Sequence, residues 1–392
     1  MPLDRRLFQS RVAISAYFVL HGFSAGTWIS RIPAEQERLG LSAAVLGVVL
    51  LGNMAGALLA GLTGGGTVSR FGSRHVTRLA TMGGFLTLAL LGLSGSAASL
   101  FLGLALFGFL QGTLNLAMNT QAAALEARYE RPIFSSFHAL WSAGALSGAL
   151  SGAGLAGVGL SPPLHFALVG ALGIAAAAYA GNYLLAASVS PGRRMFVWPR
   201  GSLLALGLLG FCAAISDGSI ASWSGVYLRS LGAPESVAAL GFAVHQSVMF
   251  FGRWGGDFLV SRFGAVNVVR WGALLGGLGL AFAVLTHTVW GIFVGIVCMG
   301  GGMATVFPLM FAASSRTAGL PPALSMASTA TMSTLGGLVG PVLLGAVAEV
   351  GTVRSSFAVA ALLAGAVSYL APSLAHYRVA QTHPARQALD RD

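Results

Sequence analysis

Twelve apolar stretches divide this chain from end to end, each near or above the roughly 20 residues an α-helix needs to cross a bilayer. They cover residues 12–30, 43–64, 76–95, 99–123, 134–157, 163–187, 202–228, 236–258, 265–286, 289–313, 322–348 and 352–373. Strands do not compete, because the stretches lack alternation and far exceed the length of a barrel strand. A soluble domain carries about 25% charged residues, whereas here 8% are charged and 55% hydrophobic. No water-soluble fold of 392 residues hides that much apolar surface. The expectation is an all-α integral membrane protein with twelve transmembrane helices.

The first stretch follows Arg11 and so begins like a secretory signal, basic and then apolar. It is long enough to span, and no convincing small-residue cleavage site follows, so it reads as the first membrane helix. Breaks fall at turn-rich or charged sites: Gly64-Gly65-Gly66, Glu126 to Pro132, Ser161-Pro162-Pro163 and Pro321-Pro322. The chain has no lysine, so its 22 basic residues are all arginine, and with 11 acidic residues the formal charge is +11. These arginines lie between apolar stretches rather than on one solvated patch, which argues against nucleic acid as a partner. With the N-terminus cytoplasmic, eighteen arginines fall inside or at the inner membrane edge, against four outside: Arg31, Arg38, Arg229 and Arg354. That bias follows the positive-inside rule. It predicts an even helix count and a multi-pass protein of the bacterial inner membrane, with both termini cytoplasmic.

The chain also repeats itself. Val68-Ser69-Arg70-Phe71-Gly72 returns 192 residues later as Val260-Ser261-Arg262-Phe263-Gly264. In the same register Val76, Arg78, Gly144 and Gly148 match Val268, Arg270, Gly336 and Gly340. Near the start of each half the offset is expected to drift to 195, aligning Trp28 with Trp223 and Asp217 with Gly22. A repeat of about six helices, an even number, makes the halves parallel rather than inverted. The division expected is a six-helix half at 1–187, a short basic linker at 188–201, a second six-helix half at 202–373 and a cytoplasmic tail at 374–392.

Gly65-Gly66-Thr67-Val68-Ser69-Arg70-Phe71-Gly72-Ser73-Arg74 resembles the signature of the major facilitator superfamily, and the resemblance covers essentially the whole chain. Gly65, Arg70, Gly72 and Arg74 keep the pattern, while Ser69, like Ser261 in the second copy, replaces its acidic residue. Trp28-Ile29-Ser30-Arg31-Ile32-Pro33, Asn119-Thr120-Gln121, Ser136-Phe137-His138-Ala139-Leu140-Trp141 and Asp217-Gly218 look like the YbjJ-type branch, related to sugar and fucose permeases. The resemblance implies two parallel six-helix bundles, transport of a small-molecule solute, and gating loops at Arg70, Gly72, Arg74, Arg262 and Gly264. It transfers no substrate.

Ionisable groups in lipid are costly and mark function by default. Asp217, about fifteen residues into the seventh stretch, is the carboxylate placed deepest in a span. Burial disfavours its charged form, which suits it either to carry a proton during transport or to pair permanently with a buried arginine or helix end. His21, His138 and His245 also fall within spans and are proton or solute ligands or interhelical hydrogen-bonders. His245 beside Gln246 is the histidine singled out for coupling. His21, Ser24, Ala25 and Trp28 share one helix face, and His138 has Trp141 and Ser142 one turn on. Gln111, Asn115 and Asn119 form an amide stripe at i+4 steps that faces either a cavity or a neighbouring helix, and Asn53 is similar. Trp223 joins these cavity candidates through the repeat. Arg253 and Asp257, four apart, are expected to pair near an inner gate. Arg31 either attracts an anion or snorkels.

Several other readings fall away. Gly22-Phe23-Ser24-Ala25-Gly26 matches a nucleophile elbow but lies inside a membrane helix. Gly152-Ala153-Gly154-Leu155-Ala156-Gly157 lacks the strand and acidic residue of a dinucleotide site. Like Gly52-Gly56-Ala60 and Gly144-Gly148-Gly152, it reads as a packing face. Without lysine no phosphate-binding Walker loop is possible. Cys212 and Cys298 give neither disulfide nor metal framework. The expectation is a monomeric, cofactor-free secondary transporter in the lipid bilayer, not an enzyme. It would move a small polar solute, sugar-like by resemblance, by alternating access with proton symport. The competing class is export of hydrophobic or amphipathic compounds.

Overall fold

The computed structural model describes residues 5–129, 133–185, 199–314, 316 and 322–376. The first half comprises α1 (Arg5–Ser30), a short α2 (Ile32–Leu39), α3 (Ala43–Phe71), α4 (Ser73–Leu91), α5 (Ala97–Tyr129), α6 (Phe134–Gly157) and α7 (Pro162–Ala180). The second comprises α8 (Ser202–Ser230), α9 (Glu235–Phe263), α10 (Ala265–Thr286), α11 (Val289–Met303), α12 (Val306–Ser314), α13 (Pro322–Val350) and α14 (Val353–Leu370). Apart from α2, and with α11 and α12 forming one broken crossing, these are the twelve predicted spans. Among the described residues, nine segments are both long and apolar enough to cross a membrane by composition alone. The three crossings that fall short are α4, α6 and α9. Arg74 and Arg78, a Ser- and Gly-rich sequence with His138, and Arg253, Asp257 and Arg262 dilute their hydropathy. Most of the predicted linker and tail lies outside the described residues, as do Pro132 and Pro321.

Local chemistry sets the ends. Ser42 and Thr288 cap α3 and α11 by accepting from Val45 N at 3.4 Å and Gly291 N at 3.1 Å. Pro33 and Pro162 sit in the first turns of α2 and α7, where a missing N–H costs nothing. Gly40 ends α2 at φ 62°. The break between α11 and α12 has a cause in Pro308. It donates no hydrogen bond, and its ring collides with the carbonyl four residues back, at Ala304, where the helix interrupts.

Helices in lipid associate by close packing rather than by the hydrophobic effect. Glycine permits that approach: a Cβ at Gly56 would lie 1.9 Å from the Ala105 carbonyl oxygen, locking α3 to α5. The repeat is visible in these contacts. Gly144 of α6 meets the Val19 carbonyl of α1, and Gly336 of α13 meets the Phe211 carbonyl of α8, both residues shifted by 192. Gly148 on Phe23 and Gly340 on Ile215 keep the same shift. The expected drift to 195 is therefore corrected. Helix contacts hold the register at 192 through α1 and α8, so Asp217 corresponds to Ala25 rather than Gly22. The two repeated turns are congruent. Gly72 adopts φ 76°, ψ 143° and Gly264 φ 78°, ψ 152°, each donating its N–H to the carbonyl four residues earlier at 2.9 Å. The positive φ explains why both are glycine.

Counting crossings, the starts of α1 and α8, both glycine turns and the end of α14 lie on one face, here the terminal face. The other carries α2. The halves touch where α6 packs on α9, through Ala149, Phe242 and Ala243, and where α3 packs on α13. In that second seam Gly47 lies against Pro341 and Gly345, and Met54 against Gly337.

Candidate functional site

A cavity of about 340 Å³ lies between the halves. The first half lines it with His21, Ala25 and Trp28 of α1, Asn53 and Met54 of α3, and Phe107 and Gln111 of α5. The second contributes Ile215, Gly218 and Ser222 of α8 and Gly337 and Pro341 of α13. Of the predicted α1 face, His21, Ala25 and Trp28 line the space, while Ser24 turns into the bundle and accepts from Gln111 Nε2 at 2.7 Å. Trp141 lines nothing here but donates its indole N–H to His21 Nδ1 at 3.0 Å. That bond fixes the neutral His21 tautomer with its proton on Nε2.

The second half places a different pair beside the cavity. His245 Nε2 lies 2.9 Å from Asp217 Oδ1, with His245 buried and the aspartate partly open. Asp217 adjoins Gly218 on the cavity wall. The pairing replaces the expectation of a permanent arginine or helix-end partner. His245 Nδ1 is buried without a hydrogen-bond partner among the described residues, and a Cβ on Gly300 would sit 3.1 Å from it. The helix α11 thus backs the imidazole and leaves Nε2 as its working nitrogen.

Other expected site residues are dispersed. Trp223 is fully buried in the core rather than on the cavity. It is three residues out of the packing register of Trp28, so its ring points elsewhere. Gln246 is buried beside His245 and does not line the space. The amide stripe divides: Gln111 reaches the cavity, whereas Asn119 Nδ2 bonds Asn115 Oδ1 at 2.9 Å toward the terminal face. His138 and Arg253 are exposed on that same side, and His138 packs edge-on to Phe18 at 5.3 Å. The side chain of Asp257 lies outside the described residues, and with it the pairing to Arg253. In the turns, Arg70 and Arg262 stack on Phe71 and Phe263, and Arg74 donates to the Asn182 carbonyl at 3.0 Å.

The α2 face is joined across the halves by charge, which the sequence reading missed. Arg31 is fully buried, neither snorkelling nor open to an anion. It donates to Glu235 at the start of α9, and within its own half to His165 Nδ1 at 3.2 Å and the Leu160 carbonyl at 2.8 Å. Arg229 grips Glu37 with two bonds of 2.6 and 2.9 Å, and the carboxylate raises its pKa. Glu349 at the end of α13 accepts from Ala44 N at 3.0 Å, capping α3 from the opposite half and lowering the glutamate's pKa. Burial pushes the Glu35 carboxyl up, although Arg38 pairs with it. The available signal was the pattern itself: arginines and glutamates crowded into the outer turns of a chain with few charges.

The family model described as Major Facilitator Superfamily matches residues 13–325. The chain is 33% identical over 377 residues to an uncharacterized transporter of Sinorhizobium fredii, y4wD, covering 94% of this chain and 99% of that protein. An uncharacterized MFS-type transporter of Yersinia pestis is 32% identical, covering 90% and 92%. Among solved structures, a D-xylose-proton symporter superposes with a TM-score of 0.76 at 13% identity, over 95% of this chain and 99% of that one. The nucleoside transporter NupG, as a D323A mutant, gives 0.74 at 15% identity, over 94% and 99%. At these identities the likeness is one of fold.

Proposed function

The chain belongs to the major facilitator superfamily, and from that premise we propose that it is a secondary active transporter moving a small polar solute by alternating access, coupled to protons through Asp217 and His245. The single observation that carries the reading is the cavity between two halves fastened to each other at the α2 face. Arg31 with Glu235, Glu37 with Arg229 and the Glu349 cap on α3 hold that side, while Asn115, His138 and Arg253 are exposed toward the other. Rocking of the halves about the cavity would exchange the two faces. The arginine distribution supports a cytoplasmic terminal face in the bacterial inner membrane, and the conformation is then inward-facing.

Proton coupling rests on the Asp217–His245 contact. Two titratable groups sharing one hydrogen bond beside a cavity hold a proton together, and a solute or a movement that alters either one alters the affinity of the pair. Solute-driven proton movement in proteoliposomes tests this. Transport by Asp217→Asn with unchanged pH dependence eliminates the role. The second reading, export of hydrophobic or amphipathic compounds, draws on the apolar part of the wall, Met54, Phe107 and Leu50. Unaltered drug sensitivity of a deletion strain would count against it.

A further inference from the structure

We propose that the cavity selects an uncharged, hydroxyl-bearing solute of one or two rings, read by Asn53, Ser222, His21 and the Gly337 backbone carbonyl. The inference rests on the transporter reading above and deepens it to a substrate class.

The first argument is charge. Among the residues lining the cavity there is no aspartate, glutamate, lysine or arginine, and His21 is the single titratable side chain on the wall. An ionised solute would leave water for a wall with no counter-charge, and an unpaired charge is expensive to bury. Asp217 is not among the lining residues; it adjoins Gly218 of the wall, is partly open, and has its carboxylate engaged with His245.

The second argument is unused hydrogen-bonding capacity. Asn53 and Ser222 face the cavity, and neither side chain makes a hydrogen bond among the described residues. Asn53 offers both donors and an acceptor, Ser222 one of each. His21, its Nδ1 taken by Trp141, keeps an Nε2–H to give. The fourth group follows from covalent structure. Pro341 lies inside α13 and has no N–H, so the Gly337 carbonyl one turn earlier lacks its helical partner, and both residues line the cavity. Non-helical satisfaction of backbone is tolerated in a membrane protein where it lines such a space. Donors and acceptors interleaved from α1, α3, α8 and α13 suit hydroxyl groups, which both give and take.

The third argument is size and shape. About 340 Å³ is at the lower end of the roughly 300–1,000 Å³ of small-molecule sites. Met54, Phe107 and Trp28 supply apolar surface for the flat face of a ring.

The test uses the full-length protein in proteoliposomes, with matched trios: a neutral pentose, hexose or cyclitol, its carboxylic acid and its amine. Binding is followed by tryptophan fluorescence and uptake by radiolabel. A neutral member should bind at least about 100-fold more tightly than its charged counterparts, given the cost of leaving buried polar groups or charges unpaired. Asn53→Ala should weaken that binding by about 10-fold, the value of one hydrogen bond. Asn53→Asp brings a carboxylate into the wall and should shift preference toward the amine by 10-fold or more. Preference for an acid or amine in the unmodified protein, failure of every trio to bind, or an Asn53→Asp variant with unchanged selectivity overturns the proposal. Transport of a charged member with intact proton coupling would sink the substrate class alone. Extrusion of amphipathic dyes with no polar solute moved would sink the polar-solute reading on which it rests.

Discussion

Asn53 and His245 occupy the same station in the two halves, 192 residues apart, and each is backed by a glycine with the same offset, Gly108 and Gly300. The packing is shared, the chemistry is not. Asn53 turns a free amide to the cavity, while His245 is buried against Asp217. Further along, Gln111 corresponds to Met303, Asn115 to Phe307 and Asn119 to Phe311, so the amide stripe of α5 has an apolar equivalent on α11 and α12. Asp217 itself stands where the first half has Ala25, a cavity-lining residue. The repeat has kept the close helix contacts and has changed the polar side chains set upon them. Both halves put polar groups on the cavity wall, Asn53 and Gln111 from the first and Ser222 from the second, but among the described residues only the second adds a hydrogen-bonded aspartate–histidine pair beside it.

Substitutions at equivalent stations break or sharpen this division. The largest effect is expected from Gly108→Ala, whose Cβ would lie 1.9 Å from the Asn53 carbonyl oxygen, whereas in Gly300→Ala it meets His245 Nδ1 at 3.1 Å and the His245 carbonyl oxygen at 3.3 Å. The first should cost more than the about 1–3 kcal/mol of ordinary overpacking and prevent recovery of folded protein; the second should stay within that range. Equal thermal stability of the two in detergent would dissolve the distinction between the tighter and the looser of the two packing sites.

Next, Asp217→Asn should uncouple solute from proton while leaving solute binding intact. Proton-driven accumulation should fall within the range of about 5- to 150-fold typical of coupling between sites. Counterflow without a gradient should persist, and its loss would assign Asp217 to binding instead. Smaller still, His245→Asn places the first half's residue in the second. Accumulation should drop by about 5-fold, the low end of the same range, with an altered pH profile. An unchanged profile would make Asp217 the sole titrating partner.

The smallest effect concerns the seam. Glu349 is a carboxylate whose pKa is lowered by the Ala44 N–H, so its contribution exists above the ordinary value of 4.5 and is lost as pH falls through the lowered one. Glu349→Gln should therefore be slightly less stable than the parent at neutral pH and match it in acid. A difference that persists in acid would show that charge is not what holds α3 to α13.

Membrane architecture was legible because lipid imposes a length and a polarity on every crossing. The repeated Val-Ser-Arg-Phe-Gly turns were legible because a positive φ demands glycine twice. Of the site, the face holding His21 and Trp28 could be read from helical spacing, and Asp217 from the cost of burying charge. The Asp217–His245 contact could not, since nothing in a sequence says which two crossings touch at one depth. Ser222 looked like any serine in a membrane helix. Trp223 misled because two tryptophans were aligned by identity, while the close contacts of Gly144 and Gly336 set the true register. Pro341 was the overlooked signal, for a proline within a span announces a carbonyl without a partner.

Breaking a buried ion pair ordinarily costs about 3–5 kcal/mol because one charge is left stranded. Arg31 is arranged otherwise. His165 and Leu160, both of its own half, would stay with the guanidinium if the halves part as proposed and Glu235 departs. Glu235, for its part, is the first residue of α9, where the amide dipoles favour a negative charge by about 0.3–1 kcal/mol. On the proposed opening neither member would be left without a polar partner, and the fastening should release and re-form like a clasp whose two ends each have a resting place.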